Sequence, residues 1–174
     1  MLTRPTIFKT ILVGEGGVGK TSILVRFTEN RFDENMKMTI GTGFASRKMA
    51  VNGSEVTLII WDLSGQPRFH DVVQDYFRGS RAAILVFDAS RYYTLENLNE
   101  WMERVRSEAP DCITFVVANK CDVLGSEIGA NREDAIAFAS RIGADFFEVS
   151  AKTGQGISEL FTCVASTLAQ RYCQ

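Results

Sequence analysis

The 174-residue chain is 45% apolar and 23% charged, which suits one domain with a real core and excludes two. Nineteen Lys and Arg stand against 21 Asp and Glu, and the resulting net charge of −2 excludes a protein that grips nucleic acid or an anionic membrane by bulk charge. No apolar run reaches the length of a membrane span, and Arg4, Pro5 and Lys9 among short apolar pieces do not make a signal peptide.

Thr6–Val13 reads as a strand, and a glycine-rich loop leads from it into a helix over Lys20–Glu29. Residues 44–51 and 55–61 read as strands joined at Asn52-Gly53. Both turn positions tolerate positive φ, so this pair should be an antiparallel hairpin. The continuous apolar run 82–87 has the character of a strand covered on both faces. A helix over 94–107 follows, stopped before Pro110; then come a strand at 113–118, a helix at 132–141 ending at Gly143, a strand at 145–149 and a closing helix at 157–171.

Strands separated by helices of this length predict an α/β fold of three layers: a six-stranded, mainly parallel sheet with one antiparallel edge strand and helices on both faces. Residues 1–174 are expected to form one domain. Ligands of such sheets bind beyond the carboxyl ends of the strands, and every motif below follows a predicted strand.

Gly14-Glu15-Gly16-Gly17-Val18-Gly19-Lys20-Thr21 fits G-x-x-x-x-G-K-[ST] between a strand and a helix, which makes the fold a P-loop NTPase fold. The glycines let successive backbone N–H groups turn onto phosphates without Cβ clashes, Lys20 adds a full charge, and the Thr21 hydroxyl, with Ser22 beside it at the helix N-terminus, stands where Mg²⁺ would be ligated. Three further pieces follow successive strands: Asp62-Leu63-Ser64-Gly65-Gln66, Asn119-Lys120-Cys121-Asp122 and Ser150-Ala151-Lys152. A carboxylate at Asp122 suits the N1–H and exocyclic amine of guanine. Adenine has no such donor pair and would leave the acceptor unpaired.

With these motifs the chain resembles the small GTPases of the Ras superfamily over essentially its whole length, and among them the Rab branch. The Rab pointers are Thr39-Ile40-Gly41-x-x-Phe44, Trp61-Asp62 and Tyr76-Phe77-Arg78-Gly79. The resemblance implies that Lys20 and the loop hold the β- and γ-phosphates, that Thr21 and Thr39 place hydroxyls on Mg²⁺ with Asp62 acting through a water, and that the Gly65 N–H touches the γ-phosphate. It further implies that Gln66 orients the attacking water, that Asn119 and Asp122 read guanine with Lys120 along the base, that the Ala151 N–H meets its O6, that Phe32 packs on the base edge, and that Ser150 and Lys152 support the pocket. Phe44, Trp61 and Tyr76 would form a surface aromatic group read by effectors, against the alternative that they sit in the core.

The expected reaction is slow hydrolysis of GTP to GDP and phosphate, used as a switch. The chain supplies no arginine for the developing charge, since the short stretch between Thr21 and Thr39 has no room for an inserted helical domain. An activating protein should therefore provide one, together with an exchange factor and effectors as partners; such an arginine contributes about 10³–10⁵ in rate. Loss of the γ-phosphate should release two switch segments, 33–43 and 64–78, together. A side chain at Gly16 would crowd Gln66 and the incoming arginine. The chain is expected to be monomeric and cytoplasmic, peripheral on a membrane only through a lipidated tail. No CaaX box or paired-cysteine ending is present, since Arg171 stands fourth from the end.

Pro67 replaces the Glu usual after the glutamine, Met36 an aromatic cover of the phosphates, and Gly43 and Thr42 the usual Asp and Val of the Rab effector pattern. Two rival readings are a P-loop kinase or ATPase, which leaves Asn119 to Asp122 unexplained, and a GTP-locked module that hydrolyses nothing, against which Gly16 and Gln66 speak. His70 is the only histidine, which excludes a His-rich zinc site, and Cys112, Cys121, Cys163 and Cys173 lack CxxC spacing and read as reduced, mostly buried thiols.

Overall fold

The computed structural model describes residues 6–123 and 126–173; Arg4, Pro5 and the final residue, Gln174, lie outside them. Period-2 alternation in the strands decides the layers. Along β1 (Thr6–Val13), Phe8 and Leu12 face one core cluster while Ile11 and Val13 face another. Along β4 (Ala82–Asp88), Ile84 and Val86 face the first, and Ala83, Leu85 and Phe87 the second. The sheet is thus apolar on both faces and must be covered twice.

The first face is covered by α1 (Lys20–Glu29) and α6 (Ile157–Tyr172), whose Phe27 and Phe161 rings stack at 3.9 Å. The second is covered by α2 (His70–Gln74), by α3 (Tyr92–Glu96) and α4 (Leu98–Glu108), and by α5 (Ser126–Ile142). Strand order is β2-β3-β1-β4-β5-β6, with β2 (Thr42–Val51), β3 (Ser54–Leu63), β5 (Ile113–Asn119) and β6 (Asp145–Glu148). All neighbours are parallel except the edge pair β2–β3, in register from Thr42 opposite Leu63 to Val51 opposite Ser54. This is the expected three-layer sheet, and the hairpin turns where Asn52 and Gly53 both adopt positive φ, 49° and 77°.

Several boundaries differ from the reading of the sequence. β2 and β3 each extend beyond the predicted ranges at both the turn and the far end or at one of them, because backbone pairing continues where the apolar alternation has stopped. The helix expected over 94–107 begins at Tyr92 and is interrupted at Asn97. Thr94 is not at its start but fully buried inside it, its hydroxyl accepting from the Asp88 N–H at 3.0 Å and donating to Arg91 O at 2.6 Å. The helix expected over 132–141 begins at Ser126, since Gly129 and Asn131 weaken its signal without stopping it. A 3₁₀ turn at Pro67–Phe69, α2 and a second 3₁₀ turn at Asp75–Phe77 are too short to show any periodicity. The four cysteines are half-buried and free, more exposed than expected. Among the described residues no helix is long and apolar enough to cross a membrane.

Candidate functional site

The loops that follow β1, β3, β5 and β6 meet at one edge of the sheet around a cleft of about 420 Å³. In the loop after β1, Gly14 has φ 143° and a Cβ there would lie 2.2 Å from Val86 O; Gly19 has φ 98° and its Cβ would lie 2.3 Å from Asn119 Nδ2. Both are positions only glycine fits. Val18 is buried in the core, and Gly16, Gly17 and Gly19 line the cleft with Lys20, Thr21 and Ser22. Lys20 Nζ donates to Gly14 O and Glu15 O, 2.9 Å each, which bends the lysine back over its own loop. Burial holds its pKa down to about 8 against the charges of Asp62 and Glu15. An anion in the cleft would relieve that cost.

Next to Lys20, Thr21 Oγ1 donates to Asp62 Oδ2 and lies 2.6 Å from Thr39 Oγ1, which is itself 3.3 Å from the same carboxylate oxygen. Burial pushes the Asp62 carboxyl up, opposed by Thr21, Lys20 and Thr39, and its Oδ1 is buried with no hydrogen-bond partner among the described residues. Three hard oxygen donors with an orphaned carboxylate oxygen fit a small divalent cation such as Mg²⁺. Thr21, Thr39 and Asp62 are the residues that would hold it.

Gly65 rests on the phosphate loop so closely that a Cβ would lie 2.2 Å from Gly14 O and 2.5 Å from Gly16 N. Gln66 follows with its Nε2 donating to Thr39 O at 3.3 Å, so the two switch segments touch through this pair. A Cβ at Gly16 would sit 3.4 Å from the Met38 Cε and 3.7 Å from the Gln66 Cγ, which is contact with Gln66 but not a clash. Met36 also lines the cleft.

At the other end, Asn119 ties three segments: its Nδ2 donates to Val18 O at 2.9 Å and its Oδ1 accepts from the Ala151 N–H at 3.1 Å. Lys120, at φ 65°, donates to Gly17 O and pairs with Asp88, both at 2.9 Å. Ser150 is fully buried and donates to Asp122 Oδ1 at 2.6 Å, which fixes the carboxylate's orientation. Phe32 lines the cleft while packing on the first core cluster, and Lys152 pairs with Glu34 at 3.1 Å across its mouth.

Outside the cleft, Phe44, Trp61 and Tyr76 form a row with ring centroids 4.9 and 5.2 Å apart. Phe44 is 66% exposed, while Trp61 and Tyr76 are half-buried and pack against the second core cluster, so the row runs from the edge of the core to the surface. Residues the sequence did not single out also shape the site. Arg26 of α1 donates to Ala151 O at 2.8 Å and Lys152 O at 2.7 Å, and the buried Asp88 anchors Lys120. A lone cation binding backbone carbonyls far along the chain leaves no local pattern to read.

Residues 9–170 match the Ras family. "Ras-related protein RABA1a" of Arabidopsis thaliana is 37% identical over 163 residues, spanning 93% of this chain and 75% of the relative. "Ras-related protein RIC2" of Oryza sativa subsp. japonica is 37% identical over 167 residues, spanning 95% of this chain and 75% of the relative.

Proposed function

The chain belongs to the Ras family of small GTPases, and from that membership we propose that it is a Rab-like switch in membrane trafficking or signalling that binds GTP and GDP with Mg²⁺ and slowly hydrolyses GTP. One observation carries this reading: a single cleft joins Lys20, Thr21, Thr39 and Gln66 at one end to Asn119, Asp122 and Ala151 at the other. That spacing suits a guanine nucleotide with its phosphates on the glycine loop.

In this mechanism the loop N–H groups and Lys20 bind the β- and γ-phosphates and offset charge as the terminal bond lengthens. Bound Mg²⁺ supplies further neutralisation of the phosphate oxygens. Gln66 orients the attacking water, and its amide's contact with Thr39 O makes the water's position depend on both switch segments. Gly65 senses the γ-phosphate from its seat on the loop. Asn119 and Asp122 select guanine, the latter held by Ser150. Phe32 closes the base side. Residues 1–174 act as one monomeric cytoplasmic domain with an activating protein, an exchange factor and effectors as partners. The row Phe44, Trp61 and Tyr76 supports an effector surface.

The test is single-turnover phosphate release from the GTP-loaded chain with and without Gln66→Leu. We expect a fall of at least about tenfold, because only positioning of the water is removed. Unchanged release would remove Gln66 from the mechanism, and release from neither protein would favour the GTP-locked module. Asp122→Asn should move preference from GTP toward XTP, measured by competition, because the amide donates where the carboxylate accepts.

A further inference from the structure

The chain's only histidine joins the second switch segment to α4. Its ring lies between the Gly65 carbonyl, 3.4 Å from Nε2, and Arg104 Nη2, 2.7 Å from Nδ1. A guanidinium only donates, so Nδ1 is the acceptor and the ring proton sits on Nε2, facing Gly65 O. The assignment of the tautomer thus follows from the partner and needs no hydrogen position. Trp101 meets the imidazole edge-on at 5.0 Å, Arg104 lies 5.1 Å from the same indole, and Glu100 Oε1 is 3.4 Å from Arg104 Nη2.

The Gly65 C=O and the Gln66 N–H belong to one peptide plane. His70 holds the oxygen end, and Ser64 Oγ accepts from the N–H end at 3.3 Å. On the following side Pro67 keeps Gln66 extended, at φ −71° and ψ 132°, and the Phe69 N–H donates to Gln66 O at 3.0 Å. The backbone of Gln66 is therefore gripped on both flanks while its amide reaches Thr39.

We propose that His70, kept in its Nε2–H form by Arg104, is a positioning residue for GTP hydrolysis that fixes the peptide from which Gln66 projects. The proposal rests on the hydrolytic reading above. Arg104 is the charged group that faces the imidazole from α4, with Glu100 behind it, and the uncharged Gly65 carbonyl faces it from the loop. Arg104 Nη1 is buried with no partner among the described residues, so the guanidinium is held through Nη2, by His70 Nδ1 and Glu100. Loss of these contacts should therefore lower hydrolysis, while nucleotide affinity, set by Lys20, Asn119 and Asp122, does not follow.

The experiment measures single-turnover hydrolysis of the GTP-loaded full chain at neutral pH, with GDP affinity and thermal unfolding in parallel. His70→Ala and Arg104→Ala should each lower the rate about tenfold to a hundredfold at unchanged GDP affinity. His70→Gln, whose amide donates from a similar reach, should restore most of the rate lost in His70→Ala. Nitrogen-15 spectra of the imidazole in the chain loaded with a non-hydrolysable GTP analogue should show the Nε2–H tautomer, lost in Arg104→Ala. A His70→Ala protein hydrolysing at the unsubstituted rate, a His70→Gln protein as slow as His70→Ala, or an Nδ1–H imidazole would each overturn the proposal. An unsubstituted chain that hydrolyses no GTP would overturn the functional reading with it, whereas an active one indifferent to His70→Ala sinks the positioning role alone.

Discussion

Asp88 shows how one buried side chain can serve the site without touching the cleft. Burial pushes its carboxyl up, but hydrogen bonds from Ser90, Lys120 and Arg91 more than offset that and hold it below the usual carboxylate range. Its Oδ2 is 2.9 Å from Lys120 Nζ, the same ammonium that donates to Gly17 O, so a single carboxylate fixes the lysine's place along the cleft floor. A folded-state pKa below the unfolded 3.8 gives stability that is present above about pH 4 and is lost as pH falls through the folded value. Asp88→Asn should cost about 1–3 kcal/mol at neutral pH, the usual scale for charge-assisted hydrogen bonds. The substituted and parent proteins should converge in acid, because protonated Asp88 has already lost the same interactions. Urea unfolding at pH 7 and at pH values stepped down below 3.8 checks this; a gap of constant size at every pH would contradict it.

At the scale of the element, Pro67 stands at the first position of a 3₁₀ turn, where its missing N–H is not needed and its fixed φ suits the helical start. It also confines the preceding Gln66 to extended backbone. Pro67→Ala keeps the geometry available but widens the unfolded and locally opened ensembles, which should cost about 0.4–1 kcal/mol. The expected readout is faster amide hydrogen exchange in 68–77 with the sheet unchanged; unaltered exchange there would mean that packing of Val73 and Phe77 alone orders the segment. This segment also marks the limit of what the sequence discloses. The strands and their pairing were legible because apolar alternation, continuous apolar runs and Asn52-Gly53 are local signals. The phosphate loop was legible because its glycines, Lys20 and Thr21 are contiguous. α2 and its flanking 3₁₀ turns span too few residues for any period, and the interruption at Asn97 has neither Pro nor Gly to announce it. His70 with Arg104, Asp88 with Lys120 and Arg26 with Ala151 escaped for another reason: each joins residues far apart in sequence, and a lone polar side chain does not name its partner.

For the whole molecule, the cleft is where the fold is least self-sufficient. Its walls come from the ends of β1, β3, β5 and β6, so a ligand there cross-links segments from the entire sheet. Lys20 is buried with its pKa lowered to about 8, and Asp62 Oδ1 is buried with no partner among the described residues, two costs that a magnesium-bound nucleotide would remove. Binding to the folded chain alone stabilises it by mass action, about 2.7 kcal/mol when free ligand is a hundredfold above its dissociation constant. For a domain of this size that corresponds to a rise in Tm of about 5–11 °C. Thermal unfolding with GDP and Mg²⁺ should show it, and a chelator added with the GDP should take back part of the rise, since Thr21 and Asp62 then face the phosphates without the cation. ATP at the same concentration should give little, because Asp122, oriented by Ser150, offers acceptors where adenine has no donor pair. Equal shifts from ATP and GDP would sink the assignment of Asn119 and Asp122 as base readers while leaving the phosphate loop's role intact, since Lys20 and the loop N–H groups hold a triphosphate whatever base it carries.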